Sequence, residues 1–177
     1  RKVDNGTYRM DGTRRDGSKI VLIPGGKTTR PTTAWRESRH DAGAYGTGLL
    51  GDLIPGRKFP FPQSLYAVED TLRLFVQEKP NALVLDFFAG SGTTAHAVAR
   101  LNRQDGGYRT SISVTNNEVS EIEARALTQR GFVFGDLEFE EQGICRAVTI
   151  PRIRSALEGK RPDGHDVEGE YKWPAEF

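Results

Sequence analysis

The stretch Leu83 to Ala99, LVLDFFAGSGTTAHAVA, decides the fold. An apolar run of strand length ends in Asp86, two phenylalanines follow, and a small-residue turn passes into an alanine-rich segment. Gly90 and Gly92 allow a sharp bend and a close backbone approach to a ligand, with no Cβ in the way. Thr93 and Thr94 open a helix expected from about Ser91 to Asn102, whose free N–H groups face the same crevice. Asp86 places a carboxylate at the strand end. A carboxylate suits an amine or cation and repels phosphate, which argues against a dinucleotide pyrophosphate site.

Downstream, GYRTSISVTNNE reads as a second strand ending near Thr115 and followed by Asn116, Asn117 and Glu118. An acid at that place can accept both hydroxyls of a ribose. One carboxylate for an amino group and another for a ribose describe S-adenosylmethionine. Two plainer readings stay open: a structural strand-to-helix turn, and for Glu118 an acid at a helix N-terminus.

The rest of the chain fits an alternating pattern. FPFPQSLYAVEDTLRLFVQEKP has Leu65, Val68, Leu72, Phe75 and Val76 at helical spacing, with Pro80 as its end. SEIEARALTQRG predicts a helix closed by Gly131, GICRAVTI a strand, and PRIRSALEG a short helix with proline at its start. KIVLIP reads as a strand, and Asp11-Gly12 and Asp16-Gly17 as turns. Residues 36–58, rich in glycine and charge, read as loop or linker. The fold class expected is α/β, a parallel sheet with flanking helices, plus a small β-rich N-terminal appendage. The domains expected are 1–58, 59–157 and a C-terminal hairpin or tail over 158–177.

Bulk properties narrow the function. At 177 residues the chain is about one domain long, and its net charge of +1 announces no partner. Residues 1–36 nevertheless carry nine Lys or Arg against three acids, which suits an arm near phosphates or a solvated basic face. The single Cys145 excludes an internal disulfide and fits a reducing cytoplasm. His40, His96 and His165 have no partners at metal-ligand spacing, and no apolar run approaches 18 residues. The chain opens on Arg1, not Met, as expected of a piece of something longer.

Three motifs together resemble one family. DFFAGSGTT resembles the cofactor motif of the amino-methyltransferases that modify DNA, roughly Asp-Pro-Phe-x-Gly-x-Gly-Thr-Thr; Phe87 in place of the proline resembles the type III restriction–modification methylases. FPFPQSLYAVEDTLRLF resembles the segment that flanks the methionine end of the cofactor, although Gln63 stands where lysine is usual, so no lysine contact is carried over. VTNNE resembles the ribose-binding acid motif. The matches cover about residues 59–120, with weaker similarity to about Leu157.

The resemblance implies a partial S-adenosylmethionine-dependent, Rossmann-like methyltransferase fold. It implies that Phe61, Pro62, Ser64, Asp86, Phe88, Ala89, Gly90, Gly92, Thr93, Thr94 and Glu118 hold S-adenosylmethionine. The late position of the cofactor motif resembles the β arrangement, in which the catalytic motif and a target-recognition region come first. Residues 1–58 then resemble the tail of that region, with Arg14, Arg15 and Lys19 on the DNA backbone. The family's catalytic motif, Asp or Asn then Pro-Pro-aromatic, is absent: of nine prolines no two are adjacent and none follows Asp or Asn. A flipped base has no pocket without it.

The expectation is therefore a C-terminal, cofactor-binding part of a site-specific DNA methyltransferase, with adenine N6 favoured over cytosine N4, no catalytic residue of its own, and no activity alone. The partners implied are double-stranded DNA and either a restriction subunit or a missing N-terminal half, with homo-oligomerisation left open and no membrane. The rivals are an NAD- or nucleotide-binding Rossmann domain and a non-catalytic DNA-binding or assembly fragment. VLIPGGKTT fails as a P-loop because Val21 occupies the first glycine position. His96, Trp35, Tyr45 and Cys145 read as packing residues, Cys145 within an apolar strand.

Overall fold

The computed structural model describes residues 9–13, 19–23, 27–29, 34–57 and 59–169. Strands β1 (Arg9–Thr13), β2 (Lys19–Ile23) and β3 (Lys27–Thr29) form an antiparallel sheet in that order. The expected KIVLIP strand is thus present, whereas Arg14, Arg15 and the first glycines of VLIPGGKTT lie outside the described residues.

The loop reading of residues 36–58 is corrected. A turn of 3-10 helix over Ser38–His40 leads into a widened helical segment, Gly43–Gly48, and then α1 (Leu49–Leu53). Glycine and charge hid a short apolar patch: Leu49, Leu50, Leu53 and Ile54 are all buried in the main core. That core also takes in Leu65, Ala97, Ala147, Val148 and Val167, with Phe59, Val68 and Leu72 packed against it. Gly46 permits the close approach, since a Cβ there would run into the carbonyl of buried Pro62.

Helix α2 (Leu65–Val76) begins at Ser64, whose hydroxyl accepts the Ala67 N–H at 3.5 Å. Its buried face is more polar than the periodicity implied. Phe75 is exposed, while Glu69, Asp70 and Arg73 are buried. The reason is the partner: α3 (Thr93–Asp105) brings Arg100 and Gln104 onto α2. Glu69 accepts from Arg73 Nη2 at 2.6 Å and from Arg100 Nε at 2.6 Å. Asp70 lies 2.8 Å from His40 Nε2 and also accepts from Arg39. Burial alone would raise the Glu69 carboxyl; the Arg100 and Arg73 guanidiniums override it and hold the group below its ordinary range. For Asp70 burial prevails over His40, Arg39 and Arg73, and its carboxyl is raised.

Strands β4 (Leu83–Asp86) and β5 (Thr110–Ser113) are parallel, paired in register from Leu83 with Thr110 to Asp86 with Ser113. Arg109 locks this unit at its base. Its guanidinium meets both Asp105 oxygens at 2.9 Å and donates to the carbonyls of Val76 and Gln77, tying the ends of α2, α3 and β5 together. One face of the pair stays open: Leu83, Leu85, Ile112 and Val114 are exposed. Parallel sheets are ordinarily covered on both faces. The described residues thus establish an α/β unit with a two-stranded parallel sheet.

Helix α4 (Glu121–Gln129) starts at Ser120, whose hydroxyl accepts the Glu123 N–H at 3.3 Å and donates to Glu123 Oε2 at 2.7 Å, and it closes before Gly131, φ +91°, as expected. After the short α5 (Leu137–Glu140), the expected GICRAVTI strand is instead helical: a widened turn over Cys145–Thr149 runs directly into α6 (Ile150–Glu158). Apolar β-branched residues mimic a strand there, but Pro151 at the helix start and burial of Ala147, Val148 and Thr149 against the core favour helix. Cys145 is accordingly half-buried and helical. Beyond α6 the chain folds back, with Lys160 bridged to Asp166 and Val167 fully buried. No helix among the described residues is long and apolar enough to cross a membrane.

Glu69→Gln should destabilise the chain by roughly 3–5 kcal/mol at neutral pH, by leaving Arg73 and Arg100 buried without their shared carboxylate. Because Arg100 and Arg73 hold the folded Glu69 carboxyl below its ordinary range, the ion-pair stability is present above that range and disappears as pH falls through the lower folded value. Denaturant midpoints of wild type and variant measured from neutral to acid pH should converge in acid.

Candidate functional site at the end of the parallel strands

The chain leaves β4 through Asp86 and turns back at once. Phe88 N–H donates to Asp86 Oδ1 at 3.1 Å, an Asx turn that orients the carboxylate. Val114 N–H donates to the Asp86 carbonyl at 2.8 Å and Ala89 N–H to the Val114 carbonyl at 3.0 Å, so both strand ends are stitched together beyond the sheet. Gly92 N–H donates to the Ala89 carbonyl at 2.7 Å. Gly90 (φ +48°) and Gly92 (φ +77°) are both left-handed, as the tight turn requires. No side chain caps the N-terminus of α3, which Gly92 opens.

The turn is held on two sides. In front, the Phe59 ring lies where a Cβ on Gly90 would approach Cζ to 3.0 Å. This contact brings Phe59, just ahead of Phe61 in the chain, to the glycine turn. Behind, Thr149 Oγ1 donates to the Gly90 carbonyl at 2.6 Å, and Arg152 Nη1 donates to the Ser91 carbonyl at 3.2 Å, to Ser91 Oγ at 2.9 Å and to Thr93 Oγ1. Ile153 closes the back, with Cγ1 3.0 Å from a Cβ built on Gly92. Burial lowers the Arg152 guanidinium to about 9.

The residues singled out from sequence fall into two groups. Asp86, Phe88, Ala89, Gly90, Gly92, Thr93 and Thr94 come together in the turn and the first turn of α3, while Phe61 stands in the segment that Phe59 anchors. Phe61 is 95% exposed at φ +57°, a backbone conformation that costs a phenylalanine energy, and Phe88 is 93% exposed. Ser64, Thr93 and Pro62 are buried. The Ser64 hydroxyl is committed to the α2 cap and donates to the Arg39 carbonyl at 2.9 Å, and the Thr93 hydroxyl is committed to Ser91 and Arg152. Glu118 is exposed and does not cap α4, since Ser120 does; its Oε2 lies 3.4 Å from Asn116 Nδ2. Thr149, Arg152 and Ile153 were not anticipated. A false strand covered the first, and an arginine in an amphipathic helix ordinarily reads as surface.

Asp86 ends β4 opposite Ser113, the last residue of β5, and Glu118 follows five residues further along the chain. The rings of Phe61 and Phe88 stand in solvent. Two surface clefts are bordered by Leu127, Arg130 and Gln142 and by Arg57, Arg146 and Ile150; the second adjoins the Asn117–Glu118 segment, since Arg146 N–H donates to Asn117 Oδ1 at 3.1 Å. Neither includes Asp86, Gly90 or Glu118. Among the described residues no group of His, Cys, Asp and Glu could hold a metal.

In open α/β sheets ligands bind beyond the carboxyl ends of the strands, the end that here carries Asp86 and the glycine turn. The family model for DNA methylase, the N6/N4 methyltransferases, matches residues 8–136, and the chain belongs to that family. It is 37% identical over 92 residues to the Mod subunit of the type III restriction–modification enzyme EcoPI of Escherichia phage P1, a match covering 52% of this chain and 14% of that protein. It is 37% identical over 91 residues to the type II methyltransferase M.KpnI of Klebsiella pneumoniae, covering 51% and 21%. The StyLTI Mod subunit of Salmonella typhimurium is 45% identical over 64 residues, covering 36% and 10%. The matched segment is thus about a fifth or less of each of these relatives.

Gly92→Ala should lower stability by about 1–2 kcal/mol for the left-handed backbone alone, with a further cost from displacing Ile153. Gly51→Ala, in α1 with open space around its Cβ, should be neutral or slightly stabilising. Urea midpoints of the two variants check the contrast.

Proposed function

We propose that this chain forms the S-adenosylmethionine-binding part of a DNA amino-methyltransferase. The observation that carries the reading is the left-handed glycine turn, Gly90 and Gly92, that follows Asp86 at the end of a parallel strand, with Glu118 in the segment that leaves the neighbouring strand. In this reading Asp86 holds the amino group through the oxygen directed by the Asx turn or its neighbour, and Glu118 accepts the ribose hydroxyls. The uncapped N-terminus of α3 and the backbone of Ala89 to Thr94 accommodate the methionine end, with Phe61 and Phe88 as the exposed apolar walls. Ser64 and Pro62 act by fixing the segment that carries Phe61, since their own side chains are buried.

The bound cofactor supplies an electrophilic methyl group. What these residues contribute is binding and alignment, which account for much of the rate in a transfer to a weakly nucleophilic amine. The base pocket, with its Pro-Pro-aromatic motif, has no counterpart in these 177 residues, so the chain is inactive alone and the motif comes from chain outside this sequence. The uncovered face of Leu83, Leu85, Ile112 and Val114 is where that chain packs. In this reading the substrate is double-stranded DNA, the acceptor is adenine N6, and a restriction subunit is a further partner; the family's description as DNA methylase and the relatives' names as Mod subunits of restriction–modification enzymes support DNA and the restriction partner. The basic N-terminal region then meets the DNA backbone.

Thermal unfolding with added ligand tests the cofactor. S-adenosylhomocysteine at a hundred times its dissociation constant should stabilise the fold by about 2.7 kcal/mol, and NAD should do nothing. Glu118→Ala should weaken binding by roughly 1.5–3 kcal/mol through the lost charge-assisted bonds. Stabilisation by NAD alone would end the methyl-donor reading.

A further inference from the structure

Arg152 has no exposed surface, and among the described residues no carboxylate pairs with it. All three hydrogen bonds of its guanidinium go to the turn, to the Ser91 carbonyl, Ser91 Oγ and Thr93 Oγ1, and all three use Nη1. Among the described residues Nε and Nη2 have no hydrogen-bond partner. Burying a cation this way is costly, and a well-packed apolar side chain of similar size ordinarily serves stability as well or better. The placement therefore has little to offer the fold as a whole. It offers the turn a great deal, because Ser91 and Thr93 bracket the left-handed Gly92 and their hydroxyls, 3.1 Å apart, converge on one guanidinium nitrogen.

We infer that Arg152 is a positioning residue that fixes the Ser91–Thr93 turn in its ligand-ready shape from behind. Thr149 does the same for the Gly90 carbonyl one helical turn earlier, so α6 acts as a splint for residues 90–93. The splint is a property of the free chain. Its consequence for cofactor affinity rests on the function proposed above.

Arg152→Met and Arg152→Lys test it, by thermal midpoint, by deuterium uptake over residues 88–94 in the ligand-free chain, and by calorimetry with S-adenosylhomocysteine. Arg152→Met should keep or raise the thermal midpoint, speed exchange in 88–94 at least tenfold while leaving α2 unchanged, and weaken S-adenosylhomocysteine binding at least tenfold. Arg152→Lys, which retains a donor, should recover part of both losses. Unchanged exchange at the turn, unchanged affinity, or a uniform rise in exchange across the chain would overturn the inference. So would an Arg152→Met chain that does not fold, since Arg152 would then be a general stability element. If wild type binds no S-adenosylhomocysteine, the cofactor reading fails, and the ligand-free exchange comparison still decides the splint.

Discussion

Everything at the candidate site depends on one constraint, the left-handed backbone at Gly90 and Gly92. Those two residues convert the end of a parallel strand into the start of a helix within a few positions, and only glycine does this without steric cost. The tight reversal leaves the turn with little internal support. The structure supplies it from outside: the Phe59 ring in front, and Thr149, Arg152 and Ile153 of the C-terminal helical segment behind. Parts of the chain some 60 residues apart thus meet on four backbone units.

The scaffold beneath this turn is rigid for a different reason. Glu69, Arg73, Arg100 and Gln104 form a hydrogen-bonded polar layer between α2 and α3, and Arg109 fastens the far ends of both helices to β5. Such layers contribute little net stability but tolerate few alternative arrangements once buried. The open face of the two-stranded sheet contrasts with this. Its apolar stripe of Leu83, Leu85, Ile112 and Val114 leaves the unit with one uncovered side.

Much of the site was legible in the sequence because its logic is local. Asp86, the glycines and the first residues of α3 lie within nine positions, and strand, turn and helix signals follow one another without a break. Glu118 stands out in the sequence by its place after the second strand, and Ser120 rather than Glu118 caps α4. What escaped was long-range. The 36–58 segment looked like a linker because its four buried apolar residues sit among glycines and charges, and only the core shows what they face. The GICRAVTI segment satisfied the composition of a strand, while its packing against the core and the adjoining proline made it helix. Arg152 gave no signal at all, since nothing local distinguishes a buried guanidinium from a solvated one in an amphipathic helix.

The most direct measurement is an NMR titration of the labelled chain with S-adenosylhomocysteine, following backbone amides. Saturable shifts centred on Asp86 to Thr94 and on Asn116 to Glu118, with the cleft bordered by Leu127 and Arg130 silent, are the predicted result. Saturation centred on that cleft, or no saturable response at the glycine turn, would contradict a nucleoside amino acid held between Asp86 and Glu118.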